Sequence, residues 1–381
     1  MTRNITILLT IFLTAFAWQS ARHDVTSPGL RIAAPSPPAD EKPFYAEDFI
    51  NQEVPGTISH VSTLSPLGPK TMACAWYSGS REGAGDVAIY FSVFNESKKA
   101  WSAPAVVMDR ARCSDELHRY VKKVGNPLLM KDADKRLRLF YSSVFGGGWS
   151  GSSLNYVISE NGGQTWTKSR KILLSPFFNL TNNVKNRGLL LDDGSFIVPV
   201  YHEFIRKFSQ LLFVRPSQKG DRFTISKITT SGKAIQPVIL QGDQRTLTAF
   251  FRNMDDRNRK YILRADSADF GRSWSALSET SLPNPNSGFD MIITGDGSYL
   301  GVINNSHVDR SNLSLVISHD KGHTWRVLRT LEDQRHKEYS YPSISQSRSG
   351  LYHITYTYER MKIKHIMFNA AWLALEDGHD K

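Results

Sequence analysis

The chain has 381 residues, of which 40% are hydrophobic and 22% are charged, so a disordered or collagen-like chain is excluded. Its net charge of +11 favours an anionic partner, such as nucleic acid, a phospholipid surface or an acidic sugar. The two cysteines, Cys74 and Cys113, are too few for a disulfide scaffold or a four-ligand zinc site. They leave either one bridge or two buried thiols.

Residues 1–21 have the layout of a secretory signal peptide: one arginine, an apolar stretch, then small and polar residues. The apolar stretch is about 14 residues long, whereas a membrane-spanning helix needs about 20, so we expect cleavage. Retention as an anchor stays open because no clean cleavage site is present. Residues 22–43 contain five prolines and predict an extended linker. The folded domain is expected over residues 44–381, in a secreted or periplasmic protein without a transmembrane span.

One motif, S-x-[DN]-x-G-x-x-W, occurs three times and ends at Trp166, Trp274 and Trp325. It predicts a hairpin turn, because Asp or Asn folds onto the following amides, Gly supplies a positive φ and Trp packs beneath the turn. The spacing of the motifs corresponds to a unit of about 50 residues, which is within the range of four-stranded propeller blades.

A second marker recurs upstream in each unit, where one residue precedes a short apolar strand. The six markers are His60, Asn126, Arg187, Gln236, Phe289 and Tyr341. In a propeller, the residue that opens each innermost strand faces the central funnel, so these side chains are funnel candidates. With β-rich runs in each unit and no helix-period segment of useful length, the pattern predicts an all-β fold, a single six-bladed β-propeller. Two unrelated β-sandwiches are the alternative.

With a signal peptide, six predicted blades and three such turns (Asp-boxes), the chain resembles the sialidase (neuraminidase) superfamily from about residue 56 to residue 375. It is most similar to bacterial sialidase-like proteins with BNR/Asp-box repeats. The resemblance implies a glycoside hydrolase in which three arginines bind a sugar carboxylate, a Tyr assisted by a Glu is the nucleophile, and an Asp is the acid/base. A neutral Tyr avoids repulsion by the carboxylate on the anomeric carbon.

When the family's residues are matched one by one, Arg252 and Arg310 resemble the second and third carboxylate-binding arginines. It matches Tyr341 to the nucleophile, with Tyr339 as a near competitor, and Glu359 to a glutamate that steadies an arginine.

Three positions depart from the family pattern. His60 stands where the first arginine is expected, and Gln236, which cannot take the tyrosine proton, stands in place of the Glu. The acid/base Asp of blade one is missing, so Glu82 is the candidate acid and Arg81 the candidate third clamp. In a glycine-rich loop, Trp149 is a candidate sugar-stacking platform.

These matches and departures give one set of predicted site residues. The predicted catalytic residues are Tyr341, Glu82, His60 and Gln236, and the predicted substrate-binding residues are Arg252, Arg310, Arg81, Glu359, Arg187 and Asn126.

The leading functional prediction is an exported sialidase-like glycoside hydrolase that releases a terminal acidic, sialic-acid-like sugar from glycans. One alternative is a hydrolase or lyase for another uronate or 2-keto-acid glycan, with His60 and Tyr341 as acid and base. The other is a propeller that binds acidic glycans without turnover, which the amide at Gln236 favours. No zinc-protease, zinc-ribbon or P-loop motif occurs, so no metal or cofactor is predicted, and export argues against a nucleic-acid partner.

Overall fold

The computed structural model of the chain describes residues 41–174, 181–204, 207–217, 220–242 and 245–375. The predicted signal peptide and most of the predicted linker lie outside these residues. Within the described ranges, no helix combines the length and the apolar character needed to cross a bilayer.

The described chain begins with strand β1 (Tyr45–Phe49) and then forms six antiparallel sheets in succession. Blade one contains β2 (Ile58–Gly68), β3 (Thr71–Gly79), β4 (Ala88–Asn95), β5 (Ala100–Trp101) and β6 (Ala105–Met108). Blade two contains β7 (Lys123–Lys131), β8 (Leu137–Val144), β9 (Ser152–Ser159) and β10 (Arg170–Lys171). Blade three contains β11 (Leu189–Leu190), β12 (Phe196–His202), β13 (Lys207–Arg215) and β14 (Arg222–Gly232).

The second half of the ring has the same construction. Blade four contains β15 (Ala234–Gln241), β16 (Leu247–Asn253), β17 (Tyr261–Ser267) and β18 (Ser278–Pro283). Blade five contains β19 (Asp290–Ile293), β20 (Tyr299–Ile303), β21 (Asn312–Ser318) and β22 (Arg326–Asp333). Blade six contains β23 (Tyr339–Gln346), β24 (Tyr352–Tyr358) and β25 (Lys362–Phe368), and β1 adds its outermost strand. The predicted six-bladed β-propeller is confirmed.

The two ends of the folded chain are held together in blade six. Strand β1 runs antiparallel to β25, with Tyr45 opposite Phe368 and Phe49 opposite Lys364. The inner strand β23 of this blade contacts the inner strand β2 of blade one, which closes the ring. The sequence pattern did not predict this closure because the pairing joins segments more than 300 residues apart.

Two short α-helices and one 3-10 turn (Trp149–Gly151) interrupt the β-structure among the described residues, although the sequence indicated no useful helical segment. Helix α1 (Arg110–Leu117) precedes blade two, and the Asp109 side chain caps it by accepting from the Arg112 amide. Helix α2 (Ala370–Ala374) follows the last strand. Each is too short for a hydrophobic period to be read from sequence.

The core lies between adjacent blades, because each sheet buries both of its faces against its neighbours. In one such layer, Phe140 and Tyr156 of blade two pack against Phe196 and Val198 of blade three. Both Cys74 and Cys113 are buried free thiols, which resolves the choice between a bridge and two thiols.

The three Asp-boxes form the predicted turns after the third strand of their blades. In each, the Ser hydroxyl accepts from the Gly amide and the Trp indole donates to the carbonyl of the same Gly. Strand β9 ends at Ser159 opposite Leu137, where β8 begins. The turns therefore lie at the opposite end of the blades from the loops that follow the second strands. Their hydrogen bonds stabilise the blades and do not contribute to the candidate site.

Four inner strands contain a β-bulge at which one residue adopts the left-handed conformation. These residues are Val61 (φ 52°), Asn126 (49°), Gln236 (51°) and Tyr341 (51°). A positive φ costs a non-glycine residue about 1–2 kcal/mol, and such strain commonly accompanies functional sites. The equivalent of the other three in blade one is thus Val61, one residue after the predicted marker.

The marker proposed for blade five is wrong as a funnel residue. Phe289 is 1% exposed and packs in the core with Val238 and Phe250. Its large apolar side chain gains more from burial between blades four and five than from contact with a polar funnel.

Candidate functional site

The candidate site lies at the end of the propeller where inner strands begin and second strands end. The register places Ile58 opposite Gly79 in blade one and Lys123 opposite Val144 in blade two. The loops after all six second strands therefore gather at this end. They and the strand ends beside them carry Glu82, Trp149, Glu203, Arg252, Arg310, Glu359 and Arg360.

Arg252, near the end of β16, is the buried cation of the site. It is 9% exposed, and its Nε donates to Asn286 Oδ1 at 2.8 Å. Its Nη1 donates to Gln236 Oε1 at 3.3 Å and to Tyr341 Oη at 3.2 Å. All three partners are neutral, and within the described ranges no carboxylate forms an ion pair with Arg252. A buried guanidinium without a counter-ion favours an anionic ligand.

A second arginine joins Arg252 beside the same tyrosine. The Cζ atom of Arg310 lies 5.4 Å from the centre of the Tyr341 ring, and that of Arg252 lies 6.0 Å from it. Arg310 Nη2 also donates to the Asn286 carbonyl at 3.0 Å. The predicted convergence of Arg252, Arg310 and Tyr341 is therefore present in the structure.

The sequence comparison missed the third arginine of the cluster. Arg360 Nε donates to Glu338 Oε2 at 2.9 Å, and Arg310 Nη1 donates to Glu338 Oε1 at 3.4 Å. Burial acts to raise the pKa of Glu338. The pKa is nevertheless lowered, because Arg360 donates a hydrogen bond and both Arg360 and Arg310 are positively charged. Arg360 directly follows the predicted Glu359, and this position is the only feature of the sequence that indicated it as a site residue.

Glu359 itself pairs with Lys337 at 3.3 Å, so Glu338, rather than Glu359, is the glutamate that holds the site arginines. Arg81 is exposed and lowers the pKa of Asp86, after the Ser80 hydrogen bonds that are the larger cause. It makes no described contact with Tyr341 or the arginines, and the third guanidinium joined to the cluster through Glu338 is that of Arg360.

Glu82, the predicted acid, is held by an ion pair to Arg360 Nη1 at 3.1 Å. Arg187 is half-buried and interacts electrostatically with Asp290. Asn126 Nδ2 donates to Tyr201 Oη at 3.5 Å, and through this hydroxyl it joins the site.

Tyr341 is half-buried and faces a neutral histidine. The rings of His60 and Tyr341 meet edge to face with centroids 4.8 Å apart, and His60 Nδ1 lies 3.1 Å from Thr357 Oγ1. Burial, followed by the charges of Arg360 and Arg310, lowers the pKa of His60 well below its usual value. His60 therefore does not replace the missing arginine as a cation. Tyr339, the competing candidate for the nucleophile, is fully buried in the core.

Gln236 lies between two tyrosines and Arg252. Its Nε2 donates to Tyr201 Oη at 3.3 Å, while its Oε1 accepts from Arg252. Across the described ranges, no carboxylate is hydrogen-bonded to Tyr341 Oη. The nucleophile candidate is thus contacted by a cation but not by a base.

Two buried polar atoms beside Tyr341 have no hydrogen-bond partner in the described part of the chain. They are His60 Nε2 and Tyr77 Oη, whose rings lie 5.7 Å apart. Buried polar groups are rarely left unpaired unless a water or ligand completes them. Sugar hydroxyls can both donate and accept, so they could serve as hydrogen-bond partners for these two atoms.

Glu203, directly after β12, is a carboxyl that sequence reasoning missed because it belongs to no motif. Burial raises its pKa, although Arg252 and Lys207 act in the opposite direction, and the negative charge of Glu82 raises it further. A carboxyl with a raised pKa is suited to donating a proton.

Beneath the site, Lys185 fixes the backbone of two inner strands. Its Nζ donates to the carbonyls of Phe289 at 3.1 Å and Pro342 at 2.7 Å, and burial lowers its pKa to about 8. The neighbouring Asn186 Nδ2 donates to the Gln236 carbonyl at 2.8 Å. These contacts hold the strained Gln236 and the strand that carries Tyr341.

Comparison with known proteins agrees with this architecture. The profile of the BNR repeat-like domain matches residues 70–354. The chain belongs to this BNR repeat-like family. No curated protein matches it by sequence.

Solved structures similar to this BNR repeat protein include sialidases. The Hadza microbial sialidase Hz136 is 14% identical with a TM-score of 0.67, over 81% of this chain and 65% of that protein. The intramolecular trans-sialidase from Ruminococcus gnavus is 14% identical with a TM-score of 0.65, over 84% and 96%. A protein of unknown function from Dyadobacter fermentans is 11% identical with a TM-score of 0.68, over 85% and 97%. At these identities the likeness shows the sialidase-like fold alone.

Proposed function

We propose that the protein is a sialidase-like glycoside hydrolase that releases a terminal acidic, sialic-acid-like sugar from glycans. The observation that carries this proposal is the buried Arg252, which lacks a carboxylate partner and lies with Arg310 against Tyr341. A sugar carboxylate would supply the missing counter-ion, and a planar guanidinium binds it with two parallel hydrogen bonds.

In the proposed reaction, Tyr341 Oη attacks the anomeric carbon while the bond to the glycosidic oxygen breaks. The hydrogen bond from Arg252 Nη1 holds the Tyr341 oxygen in place, and the phenolic proton passes to water because Gln236 cannot accept it. Glu203 protonates the leaving oxygen, a role for which its raised pKa suits it better than the ion-paired Glu82. Water then hydrolyses the glycosyl-tyrosine.

A second candidate function is the binding of acidic glycans without turnover. The neutral amide of Gln236 favours it, because Tyr341 then has no carboxylate to accept its proton. The arginine cluster serves both functions equally, so only turnover separates them.

We also propose that residues 1–21 direct export and that residues 22–43 link this segment to the propeller, as the sequence predicts. N-terminal sequencing of the protein expressed in a bacterial host tests this directly. A mature N-terminus near residue 22 supports export with cleavage, whereas a cytoplasmic chain that begins at Met1 contradicts it.

The function is tested with a fluorogenic sialoside and three proteins: wild type, Tyr341→Phe and Arg252→Ala. Turnover by the wild type that both substitutions abolish supports the hydrolase, provided that Tyr341→Phe still binds the sugar. Binding without turnover, dependent on Arg252, supports the second candidate. A fluorogenic glucuronide in the same assay tests the uronate alternative, and the absence of binding to either sugar refutes carboxylate recognition.

A further inference from the structure

Another buried cation lies in blade two, two blades along the ring from Arg252. Lys123 opens β7 in blade two, is 7% exposed, and places Nζ 4.0 Å from the centre of the Trp149 ring. Throughout the described part of the chain, no carboxylate lies within ion-pair distance of Lys123. The charges of Glu82 and Glu203 reach it, but burial outweighs both and lowers its pKa. The cation–π contact is a weak replacement for a counter-ion.

Two glycines make room for this arrangement. A Cβ atom at Gly125 would come within 2.7 Å of the Trp149 ring, and one at Gly83 would come within 2.9 Å of Lys123 Nζ. Gly83 also has a φ of +81°, which disfavours other residues. The backbone of blades one and two is therefore shaped to admit a large ring and an ammonium group side by side.

The pair is connected to the candidate site by a short series of contacts. The Trp149 ring rests on Gly125, which precedes Asn126. Asn126 contacts Tyr201, and Tyr201 contacts Gln236, the partner of Arg252. These contacts link blade two to blade four at the same end of the propeller, which is the direction we consider for the next sugar of a bound glycan.

We propose that Lys123 and Trp149 form a second subsite, which binds an oxyanion carried by the sugar next to the terminal acidic residue. Trp149 stacks on the face of that sugar, and Lys123 pairs with its carboxylate or sulfate. The preferred substrates are then glycans with acidic groups on two successive sugars. This inference rests on the proposed recognition of a terminal acidic sugar by Arg252.

The test compares Lys123→Met with wild type by titration calorimetry on the full chain, each with the additional change Tyr341→Phe so that the probes are not hydrolysed, using three probes. Sialyllactose carries one carboxylate, disialyllactose adds a second carboxylate, and a sialylated lactosamine with a sulfate on the second sugar adds a sulfate. We expect Lys123→Met to weaken binding of a doubly anionic probe by about tenfold and to leave sialyllactose within about twofold. The probe that is affected identifies the source of the oxyanion.

The control is Lys131→Met, at the far end of the same strand, where Nζ donates to the Leu67 carbonyl. Lys123→Arg keeps the charge and is expected to keep most of the preference, which guards against a general folding defect in Lys123→Met. Equal effects of Lys123→Met on all three probes, or none on any, overturn the second subsite. If wild type binds none of the probes, the proposed function fails first, and an Arg252-dependent affinity for sialyllactose separates the two results.

Discussion

Arg252 links function and stability in a way that one substitution can measure. Its guanidinium is 9% exposed and makes three hydrogen bonds, all to neutral groups. Each such bond contributes about 1.5–3 kcal/mol, whereas burying an ion costs several kcal/mol. We therefore expect Arg252→Met to change the free energy of unfolding by less than about 1 kcal/mol, or to raise it.

The same substitution should have a large effect on the ligand. Loss of two charged hydrogen bonds to a carboxylate removes at least about 3 kcal/mol, which is more than a hundredfold in affinity. Titration calorimetry with free sialic acid measures the affinity, and urea denaturation followed by tryptophan fluorescence measures the stability. Unchanged slopes in urea would show that the two proteins unfold to the same extent.

Arg138 provides a control because it is also buried but is paired with carboxylates. It is 1% exposed, and its guanidinium contacts Asp132 at 2.8 Å and Asp221 at 2.5 Å. Arg138→Met removes the ion-pair partner of the buried Asp221, while Asp132 keeps Arg136 at 3.0 Å, and should cost about 3–5 kcal/mol of stability without affecting sugar affinity. If Arg252→Met destabilises the protein as much as Arg138→Met, or if it still binds sialic acid, the assignment of Arg252 as a ligand-binding cation is refuted.

Three further substitutions test the site chemistry. Gln236→Glu places a carboxylate that can take the phenolic proton beside the Arg252 nitrogen that contacts Tyr341, and it should raise kcat about tenfold or more; an unchanged or lower kcat contradicts Tyr341 as the nucleophile. Glu203→Gln should remove the fall in kcat/KM at rising pH that reflects loss of the acid proton, since burial raises the pKa of Glu203, whereas a profile that it leaves intact excludes this acid. Lys185, with its pKa lowered from 10.5 to about 8, binds fewer protons in the native than in the unfolded state between these values. Stability relative to Lys185→Met should therefore rise with pH there, by at most about 1.4 kcal/mol per unit in urea denaturation, and a constant difference disproves the lowered pKa.

Features that depend only on neighbouring residues could be predicted from the sequence. The Asp-boxes are recognisable because Ser, Asp, Gly and Trp bond to one another within eight residues. Their spacing then gave the number of blades, since each blade needs its neighbours to bury both faces. Arg252 and Tyr341, expected to converge, lie in hydrogen-bond contact because each occupies a fixed position in its blade.

The remainder of the site depends on contacts between blades, which no local pattern encodes. Glu338 joins Arg310 of blade five to Arg360 of blade six, and Arg360 reaches back to Glu82 of blade one only because the ring is closed. The bulge of blade one centres on Val61, one residue after the predicted marker His60. A valine gives no sequence signal for a left-handed conformation, so this position could not be predicted.

The charges of the cluster suggest how acidic sugars are distinguished from neutral ones. Of the three guanidiniums, those of Arg310 and Arg360 pair with Glu338 and Glu82, whereas that of Arg252 has no ion-pair partner among the described residues. One sugar carboxylate balances its charge, whereas a neutral sugar would bury Arg252 still further without a counter-ion. Selectivity then arises chiefly from the penalty on neutral ligands. The remaining excess of the +11 net charge acts only through long-range attraction, which salt weakens. Raising the ionic strength should therefore slow association with acidic glycans while leaving the preference of the bound site for a carboxylate largely intact.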